Sequence, residues 1–209
     1  MTIAPQLIQS ADPEVSRTKF DHEIADFRAL GPQYTARGWF LVEAEFPHVF
    51  VVLAAPQLRP SPLVTGVTFD YRDYDLQPPS VRLVNPFTRE PWKGDELPTT
   101  LRRRSQGAPM VIPGLQLPPG AAMPMLVQEQ PLMQAYPDGI PFLCIAGVRE
   151  YHEHPAHSGD VWELHRPVGA GRFVRILEVI DTYGIRPLNG YNINLTPQIA
   201  GFTQGETPE

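Results

Sequence analysis

With 209 residues, 42% of them hydrophobic, and a mean hydropathy of −0.21, the chain is long enough to bury one large core and reads as a single domain over residues 1–209. Seventeen Lys and Arg against 23 Asp and Glu leave a net charge of −6, which argues against nucleic acid as the main partner, since phosphate neutralisation needs clustered cations. No stretch approaches the ~20 apolar residues that span a bilayer, and the amino terminus has no charged start followed by an apolar core. A single cysteine excludes an internal disulfide and fits a reducing compartment, so the expected location is the cytoplasm.

In chain order, Met1 to Ser10 reads as a loose arm. Asp12-Pro13 then offers an N-cap and a proline at the first helical position. Phe20, Ile24 and Phe27 follow at spacings of four and three, one apolar face of a helix that Gly31-Pro32 stops. Four strand candidates come next: Gly38 to Glu45, Val49 to Ala54, Thr65 to Tyr71 and Ser80 to Val84. The third alternates Val67, Phe69 and Tyr71 with Thr68 and Asp70, a period of two. Short links between these runs predict an antiparallel meander, with Tyr74 to Pro79 as a rigid extended corner before the last strand.

From Pro86 to Pro137 the pattern dissolves. This stretch holds ten of the 25 prolines and no sustained periodicity, so an irregular insertion over about 87–136 is expected, mobile or used for docking. Arg102-Arg103-Arg104 reads as a solvated loop tip, and Met123, Met125 and Met133 as local packing. Later, Gly169-Ala170-Gly171 lacks the lysine and hydroxyl residue of a phosphate loop. Phe173, Ile176, Leu177 and Ile180 mark an amphipathic helix that Gly184 should end. Leu188 to Leu195 is left as short strand or coil, and about 203–209 as a flexible tail.

Between these regions lies the densest chemistry. Ile140 to Val148 is apolar apart from Gly147 and carries Cys144; Arg149 to His157 follows, polar and rich in histidine, and the segment to His165 holds four of the six histidines. Such a cluster is costly to bury unless its members pair, bind a metal or face a cleft. One reading makes Cys144 a nucleophile that carries an acyl group, with Glu150, His152, His154 and His157 shaping its pocket. Thiolate formation at pH 7 from a free thiol of pKa ~8.5 costs about 2 kcal/mol, and freeing a lysine amine of pKa ~10.4 costs about 4.6 kcal/mol. A histidine or carboxylate, Asp160 included, can offset either. A second reading joins Cys144, His152, His154 and His157 as zinc ligands; with the chain extended, His152 and His154 would project to one side. A third makes Cys144 a small buried hydrophobe in an inactive binding module. Trp162 reads as core, and His22 and His165 as satisfied or surface histidines.

Helix, meander, Tyr-x-x-x-Pro-Pro corner, strand, irregular section, cysteine, tryptophan, helix: this order resembles the ubiquitin-conjugating enzymes, carried here by Tyr74, Pro78, Pro79, Val81, Cys144, Trp162 and the helix from Phe173. The stretch from Cys144 through Arg149-Glu150-Tyr151-His152-x-His154-x-x-His157 to Gly159-Asp160-x-Trp162 more specifically looks like the bacterial "CEHH" family, labelled a predicted metal-binding domain and associated with operons for ubiquitin-like conjugation. The resemblance implies an α+β fold like that of a ubiquitin-conjugating enzyme, with flanking helices on a four-stranded antiparallel meander. It implies a thioester carrier whose partners are an activating enzyme, a ubiquitin-like protein and a metalloprotease that removes the modifier. It departs from the pattern at Tyr136-Pro137-Asp138-Gly139, where the conjugating enzymes place His-Pro-Asn, so the asparagine that steadies the oxyanion has no positional equivalent.

Overall fold

The computed structural model describes residues 10–109, 125–135 and 139–192. The chain opens with helix α1 (Pro13–Ala29), where the Asp12 carboxylate accepts a hydrogen bond from the Glu14 N–H at 2.9 Å, the capping bond its sequence predicts. Phe20, Ile24 and Phe27 form the buried stripe. Gly31-Pro32 ends α1 but also starts a second short helix, α2 (Gly31–Ala36), because proline is well tolerated in a first helical turn, where its missing N–H has no partner to lose.

Four strands follow, β1 (Trp39–Glu45), β2 (His48–Ala54), β3 (Leu63–Asp70) and β4 (Ser80–Val84), in one antiparallel sheet of order β1-β2-β3-β4. The expected meander is present. Register aligns Val49, Phe69 and Val81 in one row and Val51, Val67 and Leu83 in another. Those rows face the core with Phe20, Ile24 and Phe27 of α1. On the opposite face Val52, Gly66 and Val84 align, and Phe50, Val52 and Val84 form a smaller cluster. Gly66 is required there, because a Cβ at that position would stand 2.6 Å from the Phe50 ring.

The corner at Tyr74 to Pro79 is a succession of turns rather than an extended arm. The Gln77 N–H reaches the Asp73 carbonyl at 2.8 Å, and the Trp162 indole donates to the Asp75 carbonyl at 3.0 Å. The irregular stretch also needs correction. Residues Arg102–Pro109 (β5) and Met125–Pro131 (β6) pair antiparallel, so the arginine triplet lies on a strand, not at a loop tip. Alternation puts Arg102 and Arg104 on one side, where both pair with Glu129 at 3.0 and 2.9 Å. Buried Leu101 and Leu132, the latter's N–H bonded to the Leu101 carbonyl at 2.9 Å, tie this hairpin to the core. The missing signal has a physical cause: the described side chains of the ribbon, 102–105 and 128–131, are exposed, and strands without a buried face need no period of two. Met133 packs against the core as expected; Met123 lies outside the described residues.

β7 (Met133–Ala135) pairs with β8 (Pro141–Leu143). After them come α3 (Arg149–Glu153), a 3₁₀ turn at Pro155–His157, α4 (Trp162–His165) and α5 (Phe173–Ile180). Gly184 does not end the last helix. The chain continues as a π turn, Asp181–Ile185, with Gly184 buried against Leu101. Residues Leu188 to Asn192 form no strand, and 193–209 lie outside the described residues.

Candidate functional site

Cys144 is placed by its neighbours. Phe142 and Leu143, each 1% exposed, anchor β8, and the Cys144 N–H donates to the Leu132 carbonyl at 2.8 Å. The next turn is forced tight at Gly147, where a Cβ would lie 2.1 Å from the Ala170 carbonyl oxygen. Only glycine lets the 145–148 turn and the 169–171 turn pass so closely. The thiol is half-buried and opens on a cavity of about 360 Å³, whose wall includes Leu132, Tyr151, His157, His165, Arg103 and Arg175. Burial pushes its pKa up, since the thiolate loses hydration there.

The nearest base is His157. Its Nε2 stands 3.4 Å from Cys144 Sγ, and the same nitrogen is 3.1 Å from Gln134 Oε1. The imidazole stacks on the Tyr151 ring, centroids 4.0 Å apart and planes at 20°. The Tyr151 hydroxyl donates to Asp160 Oδ2 at 2.6 Å, and His165 Nε2 meets Asp160 Oδ1 at 2.5 Å. Burial, helped by the Asp160 bond, lifts the Tyr151 phenol to about 12, so it stays a donor. The bonds from Tyr151 and His165 hold Asp160 below the usual carboxylate range.

The other predicted site residues part company with the thiol. Arg149 to Glu153 is helical, not extended, which overturns the expectation that His152 and His154 project to one side. His152 has Nδ1 2.8 Å from the Asp160 carbonyl and Nε2 2.7 Å from the Ala146 carbonyl, bracing the Cys144 turn against the segment before α4. His154 caps the 3₁₀ turn through Nδ1, which accepts from the Ala156 N–H at 3.3 Å, and its ring lies 5.1 Å from Phe142. Glu150 is 2% exposed. Its carboxylate accepts from the Ser80 hydroxyl and from the Val81 N–H at 3.1 Å, with Arg82 Nε at 3.4 Å. That ties α3 to β4. Arg149 completes the tie, its guanidinium donating to the Pro78 and Arg72 carbonyls. Trp162 is core, 7% exposed.

Of the five predicted site residues, then, Cys144 and His157 come together, and Glu150, His152 and His154 support the backbone around them. Among the described residues no three His, Cys, Asp or Glu side chains converge as metal ligands, and the set Cys144, His152, His154 and His157 is not assembled into one. Sequence reasoning missed Gln134 altogether, because it lies in the stretch without pattern, and it missed Tyr151 as the surface on which His157 rests.

The fold and site define an α+β domain with a four-stranded antiparallel sheet and a cysteine–histidine pair held beyond its last strand. The model of the Y4jH family matches residues 11–188, from α1 through the π turn. The chain is 41% identical over 198 residues to the uncharacterized protein y4jH of Sinorhizobium fredii (strain NBRC 101917 / NGR234), an alignment covering 93% of this chain and 94% of that protein. The chain belongs to the Y4jH family.

Proposed function

We propose that the protein is a cysteine-dependent carrier like a ubiquitin-conjugating enzyme, accepting a ubiquitin-like protein from an activating enzyme as a thioester and passing it to a target amine. The carrying observation is the half-buried Cys144 thiol at the mouth of a cavity with His157 Nε2 at 3.4 Å, a nucleophile with one base in reach. The element order supports the reading as well. α1, the four-stranded meander, the Pro78-Pro79 corner, the cysteine, the buried Trp162 and α5 follow in the sequence that the resemblance implies.

In the charging step the Cys144 sulfur attacks the acyl carbon of the donor thioester. Its S–H proton passes to a base, a new S–C bond forms, and the donor's sulfur leaves as thiolate and regains a proton. In the discharging step an uncharged amine attacks the same carbon, Cys144 leaves as thiolate, and the surplus amine proton returns to the base. Exchange between two thioesters is near-neutral in energy, whereas the amine has the larger deprotonation cost. His157 is the residue within reach to lower both.

The test incubates the protein with its activating enzyme, ubiquitin-like protein and ATP. A covalent adduct that excess thiol destroys is expected from wild type, with none from Cys144→Ala and a thiol-resistant ester or nothing from Cys144→Ser. Equal charging of the Ala variant would overturn the proposal. A chain that never charges would leave the inactive binding module as the reading.

A further inference from the structure

His157 Nε2 faces two groups at once, Cys144 Sγ at 3.4 Å and Gln134 Oε1 at 3.1 Å. A neutral imidazole has one N–H and one lone pair. To take the thiol proton, Nε2 must present its lone pair to the S–H. To satisfy the Gln134 carbonyl, which can only accept, Nε2 must present an N–H. One nitrogen cannot do both, and the tautomer is set by the hydrogen bond it makes. The amide oxygen is the stronger partner, because a thiol is only a weak donor and acceptor. The stack on Tyr151 holds the imidazole plane in place beside both groups.

We propose that Gln134 is a latch on the site: it holds His157 in the tautomer with hydrogen on Nε2, leaving Cys144 without a base until Gln134 is displaced. The latch deepens the carrier reading, in that it presumes a reactive thiol. Release breaks the N–H···O bond, moves the imidazole hydrogen to Nδ1 through solvent, and frees the Nε2 lone pair. The S–H bond then breaks, its proton joins Nε2, and the electron pair stays on sulfur.

Two further features fit a movable latch. Gln134 is half-buried on β7, so its side chain can turn away from His157 while the strand stays in place. The loss of one Gln134 contact also leaves the Cys144 N–H to Leu132 bond intact. The other titratable and charged groups facing the pair are Tyr151 of α3, His154 beside the 3₁₀ turn, His165 of α4, Arg175 of α5 and Arg103 of β5. Tyr151 stacks on the imidazole, and the His154 ring centroid lies 5.7 Å from that of His157.

The test uses iodoacetamide alkylation of Cys144 in the full chain, followed by mass spectrometry between pH 6 and 9.5, and needs no activating enzyme. Gln134→Leu should alkylate about three- to tenfold faster at pH 7, the scale of one uncharged hydrogen bond, and move the pH–rate midpoint downward. Gln134→Met, with its similar length and flexible fit, should do the same and guards against misfolding of the Leu variant. In a His157→Gln background both gains should vanish. Slower or unchanged alkylation in both Gln134 variants would overturn the latch, and so would an equal gain without His157, which would mean that the substitutions merely open the cavity. Cysteine-dependent charging alongside either result would overturn the latch alone and leave the carrier reading standing.

Discussion

Across the sheet, residues meet in registered rows such as Val49, Phe69 and Val81, and the same side chains that make the strands also make the core. From Cys144 to His165 no helix exceeds five residues, and position is held instead by side chains that reach main-chain carbonyls and amides. His152 spans the Ala146 and Asp160 carbonyls, Glu150 holds the Val81 N–H, and Arg149 holds the Pro78 carbonyl. The first region is stabilised by burial, which is non-directional and spread over many residues. The second depends on a few directional bonds, each costly to lose because its partner is left buried and unpaired. On the proposed reading, the Cys144 thiol in the second region is tuned by one neighbour, Gln134, acting through His157.

The largest effect expected on this comparison comes from Phe173→Ala. Phe173 is 0% exposed, with its ring 5.2 Å from Phe27 and 4.9 Å from Phe69, and truncating a buried phenylalanine costs about 3–5 kcal/mol. Urea denaturation should show that loss. A cost below about 1 kcal/mol would mean that the two helices and the sheet do not share one core.

Glu150→Ala probes the second region. Removing the carboxylate strands the Val81 N–H and the Ser80 hydroxyl in a buried setting and should cost about 1–3 kcal/mol. If stability held and adduct formation disappeared, Glu150 would have a chemical role, and its assignment as a tie between α3 and β4 would fail.

A smaller, pH-dependent effect belongs to Glu23, which joins α1 to α5 by accepting the Phe173 N–H at 3.1 Å. Burial raises its pKa, against the opposing pull of that bond and of Arg172. A carboxyl raised on folding contributes stability that is present below its unfolded pKa and is lost as pH rises through the folded one. Glu23→Gln cannot ionise, so its denaturation midpoint should gain on wild type from pH 4 to pH 7. A gap that stays constant, or closes toward pH 7, would show that the charge is welcome there.

α1, β3 and α5 were legible in sequence because each repeats a burial pattern, such as Phe20, Ile24 and Phe27 or Val67 and Phe69, that the backbone geometry imposes, and the other strands were legible as short apolar runs between turns. Cys144 and His157 were legible as residue types. Their pairing to the exclusion of His152 and His154 was not, because five residues of helix at α3 turned the expected extended array, and no periodicity marks so short an element. The β5–β6 hairpin was hidden for the related reason that its described side chains, 102–105 and 128–131, are exposed.

By itself, then, the sequence determined the elements that carry their own period, the capped start of α1, the antiparallel meander and the lone thiol. Only tertiary structure decided that Glu150 bonds β4, that His152 braces two carbonyls, and that Gln134 on the neighbouring strand shares one His157 nitrogen with Cys144. Burial writes itself along the chain as a local rhythm, whereas directional bonds between residues 6 to 70 positions apart leave no mark until the fold brings their two ends together.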